Sequence, residues 1–178
     1  QDIGKTFMKN KMPEVYSPSD DSYLMSKVLK RELPKLLKKN KDLKFLEIGA
    51  GSGINLQTAK NLGMKKENIF SCDINTYAVK HCKSMRFPSD CNKEIAQPRQ
   101  EGSLQKKPQV SFGFNCVKSN LFENIEGEYG LIVFNPPYLP NDKQEPKSSK
   151  LATTGGEKGD EIILKFLNMA CLLMVLWL

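Results

Sequence analysis

The sequence predicts a doubly wound, mostly parallel α/β sheet. Three observations carry this. Short apolar runs of strand length alternate with segments of helical spacing. The first run ends in a glycine-rich turn, Gly49 to Gly53, and the next ends in an acid, Asp73, as open parallel sheets that bind nucleotides do. The last run, Leu131-Ile132-Val133-Phe134, is uninterrupted, which fits a strand buried on both faces.

The elements follow in order. Residues 1–16 are polar and irregular. Ser17-Pro18-Ser19-Asp20-Asp21 then offers several helix N-caps. Leu24, Met25, Val28, Leu29, Leu36 and Leu37 give helical apolar spacing, and Pro34 is expected to break or restart that helix. Together, residues 13–40 read as an N-terminal helical cap. Leu43 to Ile48 is the first strand. Asn55 to Leu62 is a helix with Gly63 as its C-cap. Asn68 to Cys72 is the second strand, ending in Asp73, and Asn75 to Met85 the second helix. Residues 43–85 thus form a ligand-binding half. A third strand is expected over Val110 to Val117, where Val110, Phe112, Phe114 and Cys116 alternate. Asp160 to Leu178 starts as an amphipathic helix and ends in an apolar run too short to span a bilayer. Between the second helix and third strand, residues 87–109 contain Pro88, Pro98 and Pro108 and no periodicity. They read as a long flexible insertion on the side of the sheet opposite the ligand edge. The 178 residues are expected to form one domain, with 110–178 as its second half.

Composition bounds the function. Apolar residues at 39% and charged residues at 26% are ordinary for a globular domain. A net charge of +7 favours an acidic partner such as RNA or DNA, weighed against lysines that merely solvate the surface between Lys27 and Lys44. The five cysteines, Cys72, Cys82, Cys91, Cys116 and Cys171, contain no C-x-x-C pair. That argues against a disulfide framework and a four-cysteine zinc site, and for a reducing, intracellular compartment: cytoplasm, or nucleus in a eukaryote. The N-terminus carries no secretory signal, and Gln1 in place of a start methionine points to a processed or trimmed chain. His81, the sole histidine, falls on the second helix and reads as a surface or packing residue.

Asn135-Pro136-Pro137-Tyr138 is the most informative stretch. Two prolines cannot continue the strand before them, so they fix a rigid corner at its end. The Asn135 oxygen and a freed backbone carbonyl can accept the N–H protons of a flat nitrogen group while Tyr138 packs on its face. Upstream, Glu47-Ile48-Gly49-Ala50-Gly51-Ser52-Gly53 places a tight turn at a helix N-terminus. Asp73 stands 20 residues beyond, where a carboxylate takes ribose hydroxyls. Turn and acid suit a dinucleotide or S-adenosylmethionine. The dinucleotide fingerprint needs a third glycine where Ile54 stands, which disfavours an oxidoreductase.

Glu47 to Gly53, Asp73 and the Asn135 motif together resemble a class I S-adenosylmethionine-dependent methyltransferase of Rossmann-like fold. The Asn-Pro-Pro-Tyr version is typical of enzymes that methylate planar nitrogens. Val15-Tyr16-Ser17-Pro18-Ser19-Asp20-Asp21-Ser22-Tyr23-Leu24 resembles the opening motif of the eukaryotic and archaeal HemK2-like branch of the HemK family. Thr154-Gly155-Gly156-Glu157-Lys158-Gly159-Asp160 resembles the glycine-rich loop of the same family. These motifs cover about residues 13–85 and 110–170. The resemblance implies that Tyr16 and Ser22 close the pocket near the cofactor's methionine end. It implies that Glu47, Gly49, Gly51 and Gly53 line the cofactor, that Asp73 holds the ribose, and that Asn120 and Leu121 contact adenine. The family usually has Asp where Asn120 stands. Asn135, Pro136 and Tyr138 would be catalytic, with Asn135, Pro137 and Tyr138 binding the substrate nitrogen.

The implied reaction is direct methyl transfer to the glutamine amide of the Gly-Gly-Gln motif of a class I translation release factor, with no metal. The branch also implies a small zinc-binding activator subunit on an edge of the sheet, and the third strand is such an edge, its alternating Phe112, Phe114 and Cys116 inviting a cover. The alternatives are an RNA or DNA amino-methyltransferase acting on adenine N6 or guanine N2, lysine methylation, and a non-catalytic fragment that binds cofactor or partner. The last arises because the family sheet has seven strands and the sequence shows four. A truncated product, an alternative reading or a diverged gene is therefore expected, with an unpaired side on the Leu131 strand and marginal stability.

Overall fold

The computed structural model describes residues 15, 17–88 and 110–175. The N-terminal helix α1 (Asp20–Lys39) carries acids in its first turn and lysines in its last, complementing its dipole. It runs straight through Pro34, contrary to the expected break. Its buried face also differs from the expected one. Ser22, Ser26, Leu29 and Leu33 point inward, while Leu24 is 62% exposed and Val28 39%. Two serines can line that face because Ser26 Oγ donates to Asn55 Oδ1 at 2.9 Å, so its burial is compensated.

The central sheet is parallel and is built from β1 (Phe45–Ile48), β2 (Ile69–Asp73), β5 (Asn115–Lys118) and β6 (Leu131–Phe134). Its order is β5-β2-β1-β6 among the described residues. The chain steps outward from β1 through β2 to β5, then returns to the other side of β1. The switch point, where ligands bind in such sheets, therefore lies between β1 and β6. Helices cover both faces. On one, Leu29 and Leu33 of α1 pack with Leu56 and Ala59 of α2 (Ile54–Asn61), Val79 and Cys82 of α3 (Thr76–Ser84), Phe45 and Ile69. On the other, Leu46, Ile48, Cys72 and Phe122 pack with Ile162 and Phe166 of α5 (Glu161–Val175). The two-sided burial explains why Phe45, Leu46 and Ile48 of β1 are all apolar.

The expected third strand is two strands. Val110–Phe112 (β4) pairs antiparallel with Arg86–Pro88 (β3), and β5 begins only at Asn115. Gly113 makes the break: its φ is +62°, and a Cβ there would lie 2.1 Å from the Lys83 carbonyl oxygen. Residues 86–88 therefore form a strand where an aperiodic insertion was expected to begin. The insertion itself, residues 89–109, lies outside the described residues. Its β3–β4 stem leaves the sheet at the start of β5, opposite Asp73. Strand β5 is an edge, as expected, but Phe114 and Cys116 are buried in the core and do not form an uncovered apolar stripe.

Past β6, a parallel pair joins β7 (Leu139–Pro140) to β8 (Thr154–Gly156), with the short helix α4 (Lys147–Thr153) between them in sequence. None of these was expected. Cys72, Cys82, Cys116 and Cys171 are free thiols. Among the described residues, no helix is long and apolar enough to cross a membrane.

Candidate active site

A cavity of about 570 Å³ opens at the carboxyl ends of the parallel strands. Strand register builds it. Ile48 pairs with Phe134, so the turn starting at Gly49 and the corner starting at Asn135 leave adjacent strands side by side. Asp73 pairs with Lys118, so the acid ends beside the loop carrying Asn120. Ser22, Glu47, Gly49, Gly51, Asp73, Asn120, Leu121, Asn135, Pro136, Pro137 and Tyr138 all line this cavity. Gly53 does not. It caps α2 at φ +74° and faces the sulfur atoms of Met85 and Cys82. Tyr16 lies outside the described residues.

The glycine turn is held from below. The amides of Gly49 and Ala50 both donate to the Cys72 carbonyl. Gly49 has φ +70°, and a Cβ there would come within 3.3 Å of the Phe134 ring, so only glycine fits between turn and corner. Asp73 accepts from Gly51 N at 2.8 Å and Asn75 N at 2.7 Å, which fixes the carboxylate against the turn. Burial raises its pKa against those bonds.

Glu47 is 3% exposed, and its Oε1 accepts from Asn55 Nδ2 at 2.8 Å. With Ser26 this makes a buried chain from α1 to β1, closed further by Thr58 Oγ1 at 3.4 Å from Ser26 Oγ. Glu47 Oε2 has no hydrogen-bond partner. Burial foremost, then the nearby Asp73 charge, push its pKa up to about 8 despite the Asn55 bond. A cation entering the cavity would supply the missing partner.

The Asn120 loop contains the one non-glycine residue with positive φ among the described residues, Leu121 at φ +52°. Its carbonyl accepts from Ser119 Oγ at 2.8 Å and from the Cys72 thiol at 3.4 Å, which holds this strained residue in place.

Sequence reasoning missed three contributors. Asp21 lines the cavity beside Asn135. Burial works to raise the Asp21 pKa, but hydrogen bonds from Ser19, Asn135 and Ser22 outweigh it and hold the carboxyl below its usual range. Acids in the first turn of a helix read as dipole partners, so nothing local flagged Asp21. Asn55 was hidden as an ordinary helix residue. The segment from Lys150 to Thr154, in α4 and β8, forms the outer wall. Glu145 anchors it by accepting from Thr153 Oγ1 and, at 2.7 Å, from Thr154 Oγ1. His81 lies on the exposed side of α3, 3.2 Å from the Ser52 carbonyl, and packs against the turn.

The chain is 38% identical over 157 residues to a Methanocaldococcus jannaschii protein provisionally named a protein N5-glutamine methyltransferase. The match covers 87% of this chain and 64% of that relative. This chain is similar to methyltransferases. Over 165 residues it is 27% identical to the eRF1 methyltransferase catalytic subunit of Schizosaccharomyces pombe, covering 87% of this chain and 65% of that one. Over 160 residues it is 25% identical to the mouse methyltransferase HEMK2, covering 88% and 65%. The chain thus spans just under two-thirds of the length of these homologues. No family model matches it. The parallel sheet is that of a Rossmann-like methyltransferase fold.

Proposed function

We propose that this chain is an S-adenosylmethionine-dependent N-methyltransferase that modifies the glutamine amide of the Gly-Gly-Gln motif of a class I release factor. The observation that carries the reading is the convergence at one switch point of a glycine turn, two buried carboxylates and the Asn-Pro-Pro-Tyr corner. The cavity volume suits a nucleoside-sized ligand. The unpartnered Glu47 Oε2 suits the positive charge at the methionine end of such a cofactor. Asp73 suits a ribose diol, and the Asn120–Leu121 loop suits adenine. Nothing in the cavity opposes that fit.

When bound, S-adenosylmethionine supplies an electrophilic methyl group on a sulfonium. The residues supply position. An amide nitrogen is a weak nucleophile because its lone pair is delocalised. The Asn135 oxygen and the carbonyl of Pro136 accept the two amide hydrogens. This holds the nitrogen with its π face toward the methyl. Tyr138, 53% exposed at the rim, stacks on the incoming amide plane. Such catalysis rests on orientation and needs no strong base, the proton displaced from the nitrogen passing to solvent at the exposed rim beside Tyr138.

The yeast homologue is named a catalytic subunit. By analogy we propose a small zinc-binding activator on this chain too, seated at the β5 edge, where Val117 is 42% exposed. A soluble monomer with full activity on its own would reject that partner. A second reading, methylation of an RNA or DNA amino group, is favoured by the net charge of +7. The test is transfer of labelled methyl into a cell extract, with label partitioned between protein and nucleic acid. Label in a release-factor-sized protein supports the first reading, and label in nucleic acid moves the assignment to the second. Cofactor binding with no transfer, with or without the activator, points to a binding fragment.

A further inference from the structure

Asn120 lines the cavity on the loop after β5, and its being an amide and not a carboxylate has a chemical consequence. An aspartate presents an acceptor whichever way it turns. An asparagine presents an acceptor on one side and a donor on the other, so its orientation decides which purine it can read. In this structure Asn120 Nδ2 donates to Glu123 Oε1 at 2.7 Å. A carboxylate accepts and does not donate, so this contact dictates the orientation: nitrogen toward Glu123, oxygen away. Two further contacts keep Glu123 there. Its backbone N–H donates to the Asn120 carbonyl at 3.3 Å, closing a tight turn, and Lys165 of α5 lies 3.7 Å from the same Oε1. The strained Leu121, held by Ser119 and Cys72, fixes the backbone on which both side chains stand.

We propose that Glu123 is a specificity-determining positioning residue that locks the Asn120 amide with its oxygen as the acceptor, so that the cavity selects adenine over 6-oxopurine. The inference rests on the proposed cofactor, whose 6-amino group is a donor. Glu123 does not touch the purine; it acts through Asn120. With the lock in place, a 6-oxo group would meet the Asn120 oxygen, two acceptors facing one another. Without it, the amide can rotate and donate to that oxygen, and discrimination falls.

The test is calorimetric binding of S-adenosylhomocysteine and of its 6-oxo counterpart, S-inosylhomocysteine, to the full chain. The variants are Glu123→Ala, Asn120→Asp and the double variant. Both positions lie on a surface loop, Glu123 with a side chain about half exposed, so folding is retained; thermal melting checks this. The parent chain is expected to prefer the adenine ligand by roughly 10–100-fold, the scale of one mismatched hydrogen-bonding group. Glu123→Ala is expected to shrink that preference about tenfold, mostly by improved binding of the 6-oxo ligand. Asn120→Asp, alone or with Glu123→Ala, is expected to retain the full preference, because its acceptor needs no lock. A merely structural Glu123 would weaken both ligands alike and leave the ratio unchanged, and that result overturns the inference. Loss of preference in the double variant overturns it too. If the parent chain binds neither thioether, the cofactor reading falls and takes this inference with it.

Discussion

Strand β1 is buried along its whole length, whereas β6, paired with it residue for residue, is only half-buried throughout. The same contrast divides the cavity. On the β1–β2 side, Glu47 and Asp73 are buried beneath the glycine turn, with core packed on both faces of the sheet. On the β6 side, Tyr138 and Leu139 are exposed, and α4, β7 and β8 are held largely by side-chain hydrogen bonds such as those to Glu145 and Glu161. Under the proposed function, the cofactor-side groups are preorganised by packing and the substrate-side groups by a polar loop lattice. On that reading, rigidity where a small ligand fits and accessibility where a protein side chain enters are different requirements, met here with different interactions.

The largest effect should come from the exposed side. Asn135→Ala is expected to lower turnover by roughly 10²–10³ with cofactor affinity nearly unchanged, the scale for losing one positioned polar group. Steady-state rates beside a calorimetric binding constant check this, and equal losses in both would dissolve the division. A pair of glycines sharpens it. A Cβ on Gly113 would strike the Lys83 backbone at 2.1 Å, in the buried half. Gly113→Ala is therefore expected to destabilise the chain by about 3 kcal/mol or prevent folding. A Cβ on Gly155 would lie 2.2 Å from the Gly159 carbonyl oxygen and 2.6 Å from that of Pro137, in the loop lattice. Gly155→Ala is expected to impair turnover and to lower the melting temperature less than Gly113→Ala does. Reversed outcomes would show that packing and loops have been assigned the wrong roles.

Next in size, Asp73→Ala is expected to weaken cofactor binding by roughly 10–100-fold, the range for a hydrogen-bonded charge. The smallest effect is a pH dependence. Glu47 has a folded-state pKa of about 8, above its unfolded value of 4.5. The folded chain thus holds this proton more tightly, so the contribution to stability is full below 4.5 and is lost as pH rises through 8. A cationic ligand favours the carboxylate, so binding near pH 7 should release a proton and tighten as pH rises toward 8. Calorimetry in buffers of different ionisation enthalpy measures that proton, and Glu47→Gln should abolish both its release and the loss of stability with pH.

The sequence was most readable where local chemistry and the fold agree. Leu131 to Phe134, the glycines before α2, and Asp73 at the end of β2 each carry their structural reason in their own residue types. It was least readable where a distant partner decides. Ser22 and Ser26 break the apolar period of α1, and the compensation for Ser26 sits on Asn55, 29 residues away. Pro34 is tolerated within α1 because tertiary packing of Leu29 and Leu33 outweighs one lost helical hydrogen bond. The alternation of Phe112, Phe114 and Cys116 concealed a break at Gly113, although a glycine inside a strand pattern was the available signal. Strands β7 and β8 are two and three residues long and have no period to detect. Asp21 was visible only as a helix-start residue, because its partner Asn135 lies on the far side of the sequence.

The most direct measurement is mass spectrometry of a class I release factor after incubation with the chain and S-adenosylmethionine, in the presence and absence of a small zinc-binding activator subunit, with Asn135→Ala in parallel. The account predicts one added methyl on the glutamine side-chain nitrogen of Gly-Gly-Gln, lost with Asn135→Ala. A methyl that appears on another residue or on nucleic acid, or that persists in Asn135→Ala, would contradict it.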